Sequence, residues 1–358
     1  MSGGSVRRIL LLSPGAGGAD GISTLTRQYV HALARIAAKA GATLEVWSLD
    51  DAAAPPGLPA GLHMRCASGR RARFGLLGLI APAVDRHTLV VVLHAHLLPV
   101  ALPLVARGAR LVPVLIGVEV WGPLRGLVRL ALRRAWRLLS ISRATRSRFL
   151  AAHPEFSGAG ITVCVPEAPP PVTPGPQPAG FPGPYALIVG RMAASERYKG
   201  HDVLIDVWPR VRASVPEATL VIAGTGDDVG RLRAKSGDGI VFAGRLPADR
   251  LAAAYRDATV FAMPSTGEGF GFVFLEAMQA GAACLAAPGA AEEILEDGVS
   301  GVIVDPGSPD RLTAALVRLF TDAPWRERLV SGGRKVMADR FAPGGLAERL
   351  GAGLDLPA

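Results

Sequence analysis

Nine prolines fall within residues 166–184. Proline fixes φ and has no backbone N–H, so it interrupts helices and is unfit for a central strand. No apolar period runs through this stretch either, and it reads as a semi-rigid linker. The chain must therefore fold in two halves, and 358 residues suffice for two domains of ordinary size. The expected division is an N-terminal domain over 1–165, the linker over 166–184, a C-terminal domain over 185–335, and a helical segment over 336–358 placed back against the first domain.

Each half alternates short apolar runs with amphipathic stretches, the pattern of an α/β domain around a parallel sheet. Strands are expected over 8–12, 43–48, 89–93, 110–116, 136–141 and 161–164, then over 185–189, 218–222, 240–242 and 260–263, with a further short strand within 282–288. Helices are expected over 23–40 and 200–214. The first strand runs into Pro14-Gly-Ala-Gly-Gly-Ala-Asp-Gly21. A dinucleotide fingerprint needs a third glycine at Asp20, or at Val229 after Gly224 and Gly226, and neither position has one. No Gly-x-x-x-x-Gly-Lys-[Ser/Thr] occurs, so dehydrogenases and P-loop nucleotidases are set aside. The loop can still present the backbone N–H groups of Gly17, Gly18 and Gly21 to a phosphate.

Three dispersed cysteines, Cys66, Cys164 and Cys284, form no Cys-x-x-Cys and suggest neither a disulfide framework nor a zinc site, which fits a reducing cytoplasm. Residues 1–8 lead directly into a short apolar run that ends at Ser13-Pro14-Gly15, so no signal peptide is expected. The uncharged segment 88–106 contains His94, His96, Pro99 and Pro103, and is read as a strand plus a short helix rather than a membrane span. Charge is lopsided: residues 1–165 hold 20 Lys+Arg against 7 Asp+Glu, the remainder 19 against 23. Arg125, Arg129, Arg133 and Arg137 recur every fourth residue and are expected to form one helical stripe beside Leu127, Leu130 and Leu138. Such a stripe is either a solvated face or a surface for anionic lipid headgroups. With few aromatics and no nucleic-acid motif, no nucleic-acid partner is expected.

The chemistry concentrates in Glu268-Gly-Phe-Gly-Phe-Val-Phe-Leu-Glu276, two acids at the ends of an otherwise apolar run. Carboxylates among apolar groups need partners. The glycines Gly267, Gly269 and Gly271 let the backbone approach a ligand, and a helix starting beside them would aim its positive end at the same space. Arg191 and Lys199 flank Met-Ala-Ala-Ser-Glu-Arg-Tyr after the first strand of the second half. A guanidinium fork and an ammonium point charge together suit a diphosphate, whereas ion pairs to Glu196 or Asp202 are the structural alternative.

In order and spacing, Gly190-Arg191, Lys199-Gly200, Ile222-Ala-Gly224-Thr-Gly226, Phe242-Ala-Gly244-Arg245, Met263-Pro-Ser265, the paired glutamates, Asp297-Gly298, Gly301 and Asp305-Pro306 resemble the retaining glycosyltransferases of family four, in a bacterial polysaccharide or glycolipid branch. The resemblance implies the GT-B fold: α/β, two facing Rossmann-like parallel-sheet domains with a cleft between them. It implies that Arg191 and Lys199 bind the donor diphosphate, Glu276 the ribose hydroxyls and Glu268 the transferred sugar. Backbone N–H groups around Phe270, Gly271 and Phe272 would contact sugar or phosphate, Gly18 to Gly21 the donor phosphate, and Gly244-Arg245 would lie near the base. The implied co-substrate is a UDP- or GDP-sugar, with no cofactor and, absent any Asp-x-Asp, no metal. The implied acceptor is a glycan or lipid-linked, and the enzyme would be cytoplasmic, peripheral on the inner membrane face. Where many members carry histidine before the glycine of the acceptor-side segment, here Gly117-Val-Glu119-Val-Trp121, this chain has Ile116, leaving His96 or Glu119 to help position the sugar. A Pro166-Glu167-Ala168 stands where Pro-Asn-Gly is usual. A sugar-nucleotide epimerase of the same fold, and a scaffold that binds nucleotide sugar without turnover, are the alternative readings.

Overall fold

The computed structural model describes residues 6–81, 84–176, 178, 180–181 and 183–358. Its described residues up to Glu167, with Pro343–Ala358, form one compact unit, and those of Ala168–Ala342 the other. The first unit contains strands β1 (Arg8–Ser13), β2 (Thr43–Ser48), β3 (His63–Cys66), β4 (Thr88–Leu93), β5 (Arg110–Leu115), β6 (Leu138–Ser140) and β7 (Ile161–Val163), all parallel, in the order β3-β2-β1-β4-β5-β6-β7. The second contains β8 (Tyr185–Val189), β9 (Thr219–Ala223), β10 (Ile240–Gly244), β11 (Val260–Met263), β12 (Ala283–Ala286) and β13 (Val302–Ile303), parallel in the order β10-β9-β8-β11-β12-β13. The central strands are continuous apolar runs, fully buried as helix-covered parallel strands must be.

The two orders share one topological consequence. Each chain winds outward from its first strand, then returns to lay a later strand on that strand's other side. In the first unit this reversal lies between β1 and β4, in the second between β8 and β11. Open α/β sheets bind ligands outside the carboxyl ends of the strands at such a point.

Two expectations need correction. The arginine stripe does not follow one helix: the helix is Gly126–Arg133, with Arg125 before it and Arg134 capping it, and Arg137 lies beyond, paired with Asp355 at 2.6 Å. Leu127 and Leu130 are exposed, while Leu138 is buried in β6. Strands β3 and β13 were not expected, and β6 is half as long as the run 136–141. The proline-rich stretch has neither helix nor strand among its described residues, and it is tacked down: Gln279 Nε2 donates to the Pro169 carbonyl at 2.8 Å, and Gly175 N–H to that of Asp249 at 3.0 Å. Pro182, one of its nine prolines, lies outside the described residues.

The last helix, Gly345–Leu354, packs against the helix Gly21–Ala40 of the first unit. Glu167 joins them. Its Oε1 accepts from Leu346 N–H at 2.7 Å, while Gln28 bonds both its N–H and its carbonyl. Thus the glutamate of Pro166-Glu167-Ala168 caps a helix N-terminus, where a carboxylate is favoured. Among the described residues no helix is long and apolar enough to cross a membrane.

Candidate functional site

At the reversal between β8 and β11, the two strands send out the loops that carry the charges. Arg191 follows β8 by two residues, and the loop 190–200 ends at Lys199-Gly200 before the helix His201–Ser214. Gly200 has φ +90, and a Cβ there would stand 2.8 Å from the Pro264 carbonyl oxygen. Only glycine lets the backbone after Lys199 lie against the backbone leaving β11. Lys199 Nζ consequently reaches Glu268 Oε1 at 2.8 Å, both side chains largely shielded from water. Ser265 Oγ donates to the same oxygen at 3.3 Å. Arg191 does not join this pair: its side chain is 73% exposed and turned to Glu196. Asp202, the other anticipated partner, is occupied by Arg231 and Lys235.

Glu276 stands one turn inside the helix Phe272–Ala280, whose N-cap Gly271 has φ +104. Burial raises its carboxyl pKa, opposed by a hydrogen bond from Tyr255 Oη at 3.0 Å. Phe270 and Phe272 are buried with rings 5.2 Å apart, and the N–H groups of Phe270 and Gly271 have no partner among the described residues. The arrangement thus sets a cation, two carboxyls and open amides around one sheet edge. Gly244 ends β10 with φ +66, and Arg245 beside it is exposed, two strands from the reversal.

Several residues that hold this edge have no signature in the sequence. Tyr255 sits 21 positions before Glu276, on the helix Ala248–Asp257. Asp227 Oδ1 accepts from Ala194 N–H at 2.8 Å, and Asp228 N–H donates to the Met192 carbonyl at 2.9 Å. Arg231 grips Asp202 and Asp228 together, and Arg197 adds a 3.2 Å bond to Asp228. Hydrogen bonds from Arg231 hold the carboxyls of Asp202 and Asp228 well below the usual range. The loop bearing Arg191 and Lys199 is therefore anchored by an ion cluster through Arg197 and by the Ala194 and Met192 backbone bonds. Ser265 lies within a motif already singled out, and the Asp227-Asp228 pair was visible only as charge.

The first unit presents a different edge. Asp51 accepts from the N–H groups of Ala16 at 2.8 Å and Gly17 at 2.9 Å, and Asp20 caps the following helix through Ser23 N–H at 2.9 Å. Hence Gly17 is not open to a phosphate, because a carboxylate of the chain already takes its amide. Gly18 remains in the loop, pressed against Asp20 and Ser23, and Gly21 is the first residue of the helix that follows. Glu119 is turned inward, accepting from Ile116 N–H at 2.9 Å, and burial raises its pKa. It caps its own turn. His96 is exposed.

The family profile described as "Glycosyl transferases group 1" matches residues 183–322. A GDP-mannose-dependent alpha-(1-6)-phosphatidylinositol monomannoside mannosyltransferase of Mycolicibacterium smegmatis is 32% identical over 270 residues, 67% of this chain and 69% of that one. A phosphatidyl-myo-inositol mannosyltransferase of Mycobacterium leprae is 37% identical over 169 residues, so that the match spans 45% of this chain and only 44% of the relative. Among solved structures, Anabaena HepE in complex with UDP and glucose aligns over 98% of this chain and 99% of its own, with TM-score 0.72 and 18% identity. The lipopolysaccharide outer core galactosyltransferase WaaB aligns over 97% and 99%, with TM-score 0.69 and 16% identity. These likenesses carry the fold: two parallel-sheet α/β units of the GT-B type.

Proposed function

Since the chain belongs to the group 1 family of glycosyl transferases, we propose that it transfers a hexose from a UDP- or GDP-sugar to a glycan or lipid-linked acceptor, with retention and without a metal. The observation that carries the reading is the Lys199–Glu268 pair at the reversal of the second sheet. When the diphosphate departs, negative charge grows on its oxygens and positive charge on the sugar carbon. Lys199 would then leave Glu268 for the phosphates and Arg191 would leave Glu196, freeing Glu268 for the sugar hydroxyls. The open amides at Phe270 and Gly271 add neutral donors, and the glycine loop at Gly18 and Gly21 is the corresponding feature of the first unit. One preorganised donor of this kind is worth about 3–4 kcal/mol of barrier. Fixed cations thus supply what a metal supplies elsewhere. Glu276, steadied by Tyr255, is suited to ribose hydroxyls, and Arg245 to the base edge.

The relatives named above act on phosphatidylinositol-linked acceptors, which favours a lipid-linked acceptor and a peripheral position on the cytoplasmic membrane face. The same relatives favour transfer over epimerisation or binding without turnover. Incubation of the purified protein with a panel of UDP- and GDP-sugars tests the reading. Release of UDP or GDP is expected, and Lys199→Ala is expected to abolish it. A variant that releases nucleotide as fast as the wild type removes Lys199 from the site.

A further inference from the structure

The turn Ala194–Lys199 commits four consecutive side chains to four partners. Glu196 meets Arg191, Arg197 meets Asp228, and Lys199 meets Glu268. Between the last two stands Tyr198, which the transfer chemistry leaves unused. Its ring lies on Gly267: a Cβ there would stand 2.5 Å from Tyr198 Cγ and 2.8 Å from Cε2, where no side chain fits. The Gly267 backbone lies outside the left-handed region, so it is the ring, and not the turn, that requires glycine. One residue away the same two segments are tied by their backbones, Thr266 N–H donating to the Tyr198 carbonyl at 3.0 Å.

The consequence is one of register. Tyr198 and Gly267 touch, and the residues that follow each, Lys199 and Glu268, pair at 2.8 Å. An ammonium on a flexible four-carbon stem has no fixed position of its own. Here Lys199 Nζ lies 5.7 Å from the centre of the Tyr198 ring. The hydroxyl is not what holds the contact. It has no hydrogen-bond partner among the described residues. Burial, then Glu196 and Glu268, push its pKa up to about 12, so it stays protonated at neutral pH.

We propose that Tyr198 is a positioning residue for the transfer: its ring, seated on Gly267, holds the Lys199 ammonium and the Glu268 carboxyl in the register that the departing diphosphate and the sugar require. This rests on the glycosyl-transfer reading above. Tyr198 acts through its two neighbours and not as an acid, a base or a nucleophile.

Two arms test it, one with a donor and one without. With GDP-mannose and UDP-glucose as probes, Tyr198→Ala is expected to lower kcat for nucleotide release at least about tenfold, since misplacing a group by about 1 Å costs on the order of 100-fold. The fall in kcat should exceed the rise in donor KM, because charge grows on the phosphates only as the bond breaks. Tyr198→Phe keeps the ring and is expected to stay within about threefold of the wild type. An Ala variant as active as the wild type overturns the proposal. So does a Phe variant as impaired as Ala, which would move the role to the hydroxyl. The second arm uses the free protein. The coupling between Lys199→Ala and Glu268→Ala, read as non-additivity of their urea midpoints, is expected in the wild-type and Tyr198→Phe backgrounds and should vanish in Tyr198→Ala. Additive effects in the wild type, or coupling that persists in Tyr198→Ala, overturn the proposal whether or not any donor is turned over. Failure of the wild type to release nucleotide from any donor would instead count against the glycosyl-transfer reading, and the second arm alone would then decide what the ring holds.

Discussion

Glu276 shows how one neighbour sets the usefulness of a carboxyl. Burial pushes its pKa up, and the Tyr255 hydroxyl opposes this by donating to the charged form. Tyr255→Phe is expected to raise the pKa further and weaken the grip on ribose, increasing donor KM about three- to tenfold with little change in kcat. Unchanged donor KM would show that the hydroxyl serves packing alone. His201 is the converse case. Burial first, then the Lys199 cation, lower its pKa to about 4 from 6.5, and its buried Nε2 has no hydrogen-bond partner among the described residues. Between those values the unfolded chain binds a proton that the folded chain refuses. Stability is therefore undiminished above pH 6.5 and declines as pH falls towards 4, by on the order of 3 kcal/mol. His94 adds a decline in the same window. His201→Leu should flatten roughly half of this loss in urea titrations at pH 7 and pH 5; an unchanged slope would mean that His201 is not held neutral. Glu268, Glu276, Arg191 and Lys199 stood out in the sequence because each sits within a short spaced motif, and the structure pairs Lys199 with Glu268 but turns Arg191 to Glu196. Tyr255 did not, since its bond to Glu276 joins residues that lie far apart in the linear order.

Elements near the site are fitted by backbone contact more than by side chains. A Cβ on Gly224, which has φ +139, would stand 1.9 Å from the Gly190 carbonyl oxygen, so the loops after β8 and β9 touch there only because Gly224 has no side chain. Gly200 repeats the device against Pro264. Gly200→Ala combines a disfavoured φ with a steric clash and is expected to cost about 1–3 kcal/mol. It should also displace Lys199, so donor KM should rise beyond what the loss of stability explains. A destabilised variant with normal donor KM would show that the contact serves folding only. The apolar strands were legible because burial on both faces leaves no other composition open to them. β3, with the sequence His-Met-Arg-Cys, was not, since an edge strand half open to water carries no apolar run. The arginine period misled for a similar reason. It continues past Arg133 without a Gly or Pro stop, whereas the chain turns at Arg134 to bring Trp136 to the Leu111 carbonyl.

For the whole molecule, the uneven charge acquires a physical form in the first unit. Residues 70–137 contain eleven arginines and two acids, of which Glu119 is turned inward. The helices Arg71–Ile80, Leu98–Ala106 and Gly126–Arg133 pack side by side in that order. Leu76, Leu79 and Ile80 on the first, and Leu127 and Leu130 on the third, are exposed, Leu79 by 63%. A row of arginines alone is satisfied by water; large aliphatic side chains beside them are not, and an anionic bilayer satisfies both. The charge and Leu127 with Leu130 were legible in sequence, but Leu76, Leu79 and Ile80 were not, because aliphatic residues along a helix ordinarily face a core. Arg129 is the less informative position to change, being already paired with Glu155 at 2.9 Å. Arg133→Glu with Arg134→Glu should weaken co-sedimentation with phosphatidylglycerol vesicles by well over tenfold, at about 1 kcal/mol per basic residue before the added repulsion. Salt should weaken wild-type binding in the same way. Leu79→Ser with Ile80→Ser should also reduce binding yet leave its salt dependence intact, because it removes buried apolar area and no charge. Both pairs lie outside the proposed donor site, so nucleotide release from a soluble donor should persist in each. Vesicle binding that survived all four substitutions would leave this face to solvent.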